Sequence, residues 1–173
     1  VFLDTLSKLK VNNKWNLDNK WIEQNISEKK KWIDKSLKDL EKETIEAKKN
    51  GGKIHPLQLA LDVQDAMKDN DWLVIDGGNT HFWSEIAINI AGHKGKKLGG
   101  ILHPGTFSML GVGVPFALSA KNLNPKSNVV LISGDGAFLS GGLSIEAAFQ
   151  EKKPIVVVIA VSYTHLTLPT SFE

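Results

Sequence analysis

The chain has 173 residues, 42% of them hydrophobic, with 21 Lys+Arg against 19 Asp+Glu and a formal net charge of +2. That is the composition of a folded globular chain rather than a disordered or fibrous one. Cysteine is absent and every basic residue is lysine, which excludes disulfides, thiolate metal sites and thiol nucleophiles, and any recognition that needs a bidentate guanidinium. No apolar run approaches the roughly 18 residues of a membrane span, and no signal-peptide pattern opens the chain, so the expectation is a cytoplasmic protein without a membrane partner.

Glycine and proline divide the sequence. All 15 Gly and all 6 Pro follow residue 50, whereas the first 50 residues hold 12 Lys, 9 acids and three of the five Trp. Leu3, Leu6 and Leu9 share a helical face, as do Ile33, Leu37 and Leu40. With Asn12-Asn13 and Asn16 to Asn19 read as breaks, the pattern predicts two short helices and a longer one from about Glu28 to Lys49, closed by Asn50-Gly51-Gly52. The run Lys29-Lys30-Lys31 is interleaved with acids, so it reads as a solvated helix face, with no nucleic-acid partner.

Beyond residue 50, helix and strand alternate. Pro56 opens a helix through Met67, stopped by Asp69-Asn70-Asp71. Trp72–Ile75 is a buried strand ending at Asp76, followed by the turn Gly77-Gly78-Asn79-Thr80 and a helix through Ile90. Leu98–Leu102 is a second strand, Met109–Lys121 a helix, and Asn128–Ile132 the clearest strand, with Gly134-Asp135-Gly136 directly after it. Leu143–Glu151 is read as a helix and Pro154–Ala160 as another buried strand. Apolar strands alternating with helices imply an α/β fold, a Rossmann-like parallel sheet with helices on both faces, preceded by a helical segment. Ligands in such sheets bind beyond the carboxyl ends of strands. The turns Asp76–Thr80, His103–Ser108 and Gly134–Ala137 are therefore expected at one rim.

Several chemistries find little support. Gly111-Val112-Gly113-Val114-Pro115-Phe116 is half a dinucleotide fingerprint, with Phe116 in place of the third glycine; close helix packing is the alternative reading. There is no phosphate loop ending in Gly-Lys-Ser/Thr and no nucleophile-elbow serine. His55, His81, His93, His103 and His165 show no pairing at metal-ligand spacing, so no zinc site is expected. Gly134-Asp135-Gly136 is more informative. A carboxylate at a strand end, flanked by glycines, can hold Mg²⁺ while exposed amides approach a phosphate.

The stretches WLVIDGGNT, HPGTFSMLGVGVPFALSAK and VVLISGDGAFLSGGLSIEAAFQEKKPIVVVIA resemble the thiamine-diphosphate-dependent enzymes typified by acetolactate synthase. The resemblance covers roughly residues 55–160 and falls on the family's C-terminal diphosphate-binding domain. It implies thiamine diphosphate and Mg²⁺ as cofactors. Asp135 would be the metal ligand, Gly134, Gly136 and Ala137 would lie along the diphosphate, and Gly78, Asn79 and Thr80 would touch it from the neighbouring strand end. Leu110 aligns with the bulky apolar residue under the bent thiamine. Residues 1–50 resemble the end of the family's middle domain and its linker, and 51–160 a truncated cofactor domain.

The resemblance further implies a 2-oxo acid or acyl-CoA substrate, decarboxylation or carboligation, and an oligomer of at least two chains. Asn79-Thr80 is as close to the oxalyl-CoA decarboxylase and 2-hydroxyacyl-CoA lyase branches as to acetolactate synthase. A noncatalytic nucleotide-binding Rossmann-like module is the reading from another class. The family's activating glutamate sits on a separate pyrimidine-binding domain that nothing here resembles; Glu85 and Glu146 read as helix residues. No catalytic residue is expected in the chain, which alone is expected to be an inactive fragment. The family's two asparagines after Gly-Asp-Gly fall on Val161 and Ser162, neither of which replaces them. The tail VSYTHLTLPTSFE has three of the seven Thr and the only Tyr. It resembles a translated sequencing adapter, so residues 161–173 are expected to be non-native.

Overall fold

A computed structural model describes residues 18–49 and 52–161. The chain divides into two compact units, residues 1–39 and 40–173. The expected helix over Leu3–Leu9 and nearly all of the foreign-textured tail lie outside the described residues. Asp18 opens α1 (Asn19–Lys49), its Oδ1 accepting the Trp21 N–H at 3.1 Å. The longer helix expected from about Glu28 begins instead at Asn19, and α1 runs unbroken for 31 residues. No Gly or Pro interrupts it, and Asn25 satisfies its amide along the helix by donating to Trp21 O at 2.8 Å. The helix closes as the sequence predicts: Gly52, at φ +59°, donates back to Ala47 O at 2.8 Å, a turn that favours glycine.

In the second unit, His55 caps α2 (Pro56–Ala66), its Nδ1 accepting the Leu57 N–H at 3.2 Å. Proline at the first helical position costs no hydrogen bond. Then follow β1 (Trp72–Ile75), α3 (Asn79–His93), β2 (Gly100–Leu102), α4 (Gly113–Leu123), β3 (Val129–Gly134), α5 (Asp135–Gly141), α6 (Ile145–Gln150) and β4 (Val156–Ala160), with 3₁₀ turns at Gly105–Phe107 and Gly142–Ser144. All strand pairs are parallel, in the order β2-β1-β3-β4. The expected α/β parallel sheet is therefore present.

Side chains alternate through the sheet into two cores. Leu73, Ile75, Val130 and Ile132 pack with Met67, Val63 and Ile88 on one face. Val74, Val129 and Leu131 pack with Val114, Ala117 and Ala120 of α4 on the other. Burial on both faces is why β1 and β3 read as continuous apolar runs. Gly100 pairs with Trp72, and a Cβ on it would lie 2.4 Å from the indole ring. The small residue lets the ring lie across β2.

Three sequence expectations need correction. Met109–Lys121 is helical only from Gly113, because Gly111 takes φ +85° and its N–H bonds to Asp76 instead. Leu143–Glu151 starts as a 3₁₀ turn, and α5, directly after β3, went unforeseen because two of its seven residues, Gly136 and Gly141, are glycine, a poor helix former. β4 is not buried: among the described strands it lies at the edge, with Val156 54% exposed and Ile159 40% exposed. Its apolar composition alone does not reveal that only one side of it is paired.

Candidate functional site

Strand order places a topological switch between β1 and β3. The chain leaves β1 toward β2 on one side, then returns to build β3 and β4 on the other. The crevice beyond the carboxyl ends of such a strand pair is the usual ligand position in a doubly wound sheet. The segments following β1 and β3 carry the expected site residues.

Asp76 organises this rim. It is 1% exposed, and its Oδ1 accepts the N–H groups of Gly77 and Gly111, both at 2.9 Å. Its Oδ2 accepts the Ser133 hydroxyl at 3.0 Å. One carboxylate thus ties the β1 end to the end of β3 and to the loop before α4. Ser108 ties in the third segment, its Oγ accepting the Gly78 N–H at 2.8 Å and lying 3.3 Å from His81 Nδ1. The three turns therefore do converge. Asp76 and Ser108 lie in turns expected at the rim, but their role in tying it together, and that of Ser133, was not foreseen; a carboxylate directly before Gly-Gly at a strand end was the available signal for Asp76.

The geometry around the rim is tight on one side and open on another. A Cβ at Gly77 would lie 2.2 Å from Ser108 O, and one at Gly141 would lie 2.0 Å from Gly111 O. Gly113 packs where a Cβ would meet Leu131 Cδ1 at 2.6 Å and Asp76 Oδ2 at 2.7 Å. Its role is thus close helix packing, the alternative to a dinucleotide fingerprint. Nothing lies within 4 Å of a Cβ at Gly136, and at Gly134 only Thr80 Cγ2 is near, at 3.9 Å.

Gly78 is the N-cap of α3 at φ 90°, so Asn79 and Thr80 form its first turn. Gly134 is the N-cap of α5, so Asp135, Gly136 and Ala137 form its first turn. Neither cap supplies a side-chain hydrogen bond. First-turn N–H groups have no intrahelical acceptor, and the helix dipole adds partial positive charge, so two adjacent helix starts make a site suited to an anion. Asp135 is half-buried and its Oδ1 accepts the Gly136 N–H at 2.9 Å. Gly78, Asn79 and Gly136 are exposed, Thr80 and Gly134 are half-buried, and Ala137 is buried at 3%. Leu110 is 51% exposed, with its Cδ2 3.3 Å from where a Gly78 Cβ would stand. It is a rim residue, not a core one.

The expectation that the histidines do not pair fails for His81 and His103. His81 Nε2 lies 3.0 Å from His103 Nδ1 and 3.1 Å from Glu85 Oε1, and Glu85 Oε1 lies 3.7 Å from His103 Nδ1. His81 and Glu85 share a face of α3 at i, i+4 spacing. His103 arrives from the loop after β2, the strand beside β1. That strand pairing is invisible in local spacing.

Comparison with known proteins agrees with this architecture. Residues 76–161 match the family described as "Thiamine pyrophosphate enzyme, C-terminal TPP binding domain". Human 2-hydroxyacyl-CoA lyase 2 is 32% identical over 108 residues, 61% of this chain and 16% of that protein. The catabolic acetolactate synthase of Raoultella terrigena is also 32% identical over 108 residues, 62% of this chain and 18% of its own length. 2-Hydroxyacyl-CoA lyase 2 of Caenorhabditis elegans is 33% identical over 137 residues, 74% of this chain and 20% of that protein. The chain thus spans about a fifth or less of the length of these relatives. Its residues 76–161 form a C-terminal thiamine-pyrophosphate-binding domain, and the chain belongs to the thiamine-diphosphate-dependent enzyme family.

Proposed function

We propose that this chain anchors the diphosphate of thiamine diphosphate through Mg²⁺ in an acetolactate synthase-like 2-oxoacid decarboxylase or carboligase. The observation that carries this is the pair of uncapped helix starts, α3 and α5, after the two strands at the switch point. The residues fit the group. The chain has no arginine to neutralise a diphosphate, and Asp135 adds a negative charge at the start of α5. Two anions at one helix start require a cation between them. A carboxylate with phosphate oxygens and water is the all-oxygen donor set that Mg²⁺ prefers. Asp135 would hold that ion. Gly134, Gly136 and Ala137 would lie along the diphosphate from α5, and Gly78, Asn79 and Thr80 would meet it from α3. The open space at Gly136 leaves room for close approach. Leu110 offers apolar bulk at the same rim.

When bound, thiamine diphosphate supplies a carbon nucleophile and an electron sink for cleavage next to a 2-oxo group. The residues of this chain at the rim would bind and orient it. The acyl-CoA branch stands as a second reading, because a 2-hydroxyacyl-CoA lyase and an acetolactate synthase match at the same 32% identity. Residues 51–160 are then the cofactor domain, 1–50 the end of a preceding domain with its linker, and 161–173 a non-native tail. Among the described residues no helix is long and apolar enough to cross a membrane, in keeping with a cytoplasmic enzyme. Phe107, Leu139, Leu143 and Phe149 are 78–93% exposed. Such side chains favour cover by a second subunit or a neighbouring domain, which supports a homo-oligomer.

Equilibrium dialysis of the chain against millimolar thiamine diphosphate tests the anchor. Weak binding that needs Mg²⁺ and disappears in Asp135→Asn is expected, with no turnover of pyruvate. Metal-independent binding of NAD, with no thiamine diphosphate bound, would favour a nucleotide-binding module instead.

A further inference from the structure

We propose that His81, Glu85 and His103 form a binding site for a divalent transition metal of the Zn²⁺ class, separate from the Asp135 position and independent of the cofactor reading. The three donor atoms all lie within 4.8 Å of one another, at pairwise separations of 3.0, 3.1 and 3.7 Å. Tetrahedral zinc with bonds of ~2.0–2.1 Å to nitrogen or oxygen requires ligand separations of ~3.3–3.4 Å. The observed triangle brackets that value, so an ion can enter with shifts of a few tenths of an ångström. Two imidazoles with one carboxylate select zinc, cobalt or nickel over magnesium, which prefers oxygen alone.

The surroundings suit the ligands. His81 would bind through Nε2, leaving Nδ1–H to donate to Ser108 Oγ at 3.3 Å. A fixed partner on the second ring nitrogen sets the tautomer that metal-bound histidines use. His103 Nδ1 now accepts the Gly105 N–H at 3.2 Å; a metal would take that lone pair and release Gly105 to water. His81 is the buried anchor at 9% exposure, whereas the side chains of Glu85 and His103 are 50% and 38% exposed. The ion therefore has an entry path and keeps a fourth position for water or a small ligand, as exchangeable zinc sites do. Bound metal would clamp α3 to the loop after β2.

The test is titration of the chelator-treated, full 173-residue chain with Zn²⁺ and, as a spectroscopic probe, Co²⁺. One equivalent is expected to bind, with visible absorption from Co²⁺ in a low-symmetry site, no competition from Mg²⁺, and a raised melting temperature. His103→Ala and Glu85→Gln alter exposed side chains and should fold, which circular dichroism checks. Each should weaken Zn²⁺ about tenfold or more, while Asp135→Asn leaves it unchanged. Absence of binding at tens of micromolar Zn²⁺, or affinity unaltered in both cluster variants, overturns the site.

Discussion

The carboxylate of Asp76 and the amide of Gly111 meet at 2.9 Å across 35 residues of chain. That contact holds the loop before α4 in place at the end of β1, and it is one of three bonds by which a single buried side chain fixes the rim. Replacing Asp76 by Ala leaves the Gly77 and Gly111 amides and the Ser133 hydroxyl without that acceptor. A loss of about 3 kcal/mol or more is expected in denaturant unfolding. Asp76→Asn keeps an acceptor for the amides and should cost less.

Gly113 is crowded and Gly136 is open, so the two should respond oppositely to alanine. Gly113→Ala drives a Cβ into Leu131 and Asp76, an overpacking that typically costs about 1–3 kcal/mol. Gly136→Ala meets open space, so melting temperature should hold while Mg²⁺-dependent thiamine diphosphate binding falls. Loss of stability at Gly136, with binding intact, would contradict the assignment of that space to the diphosphate.

Ser108 supports Gly78 and His81 together. Ser108→Ala should destabilise the chain by about 1–2 kcal/mol, since the Gly78 N–H loses its acceptor. Thermal unfolding of the metal-free chain would register it.

Gln64 on α2 is 0% exposed, and neither its Nε2 nor its Oε1 finds a hydrogen-bond partner among the described residues. A buried amide without partners costs folding energy that an apolar side chain of similar size does not. Gln64→Met is therefore expected to stabilise by about 1 kcal/mol, seen as a higher denaturant midpoint with an unchanged slope.

Much of this protein was legible in its residues. Apolar runs at Trp72–Ile75 and Asn128–Ile132, each ending in Asp and Gly, announced buried parallel strands and the turns that follow them. The reason is local: a strand buried on both faces is mostly apolar, and a sharp exit favours glycine. The same logic gave the close of α1 at Gly52 and the start of α2 at Pro56. Tertiary structure alone decided the rest. It left β4 at the edge, because pairing on one side or two depends on strand order rather than composition. It made Asp76 the hub, because its partners lie up to 57 residues away. It also brought His103 to His81 across 22 residues. Spacing along a chain reports only neighbours on one element, and that pair meets because β2 lies beside β1.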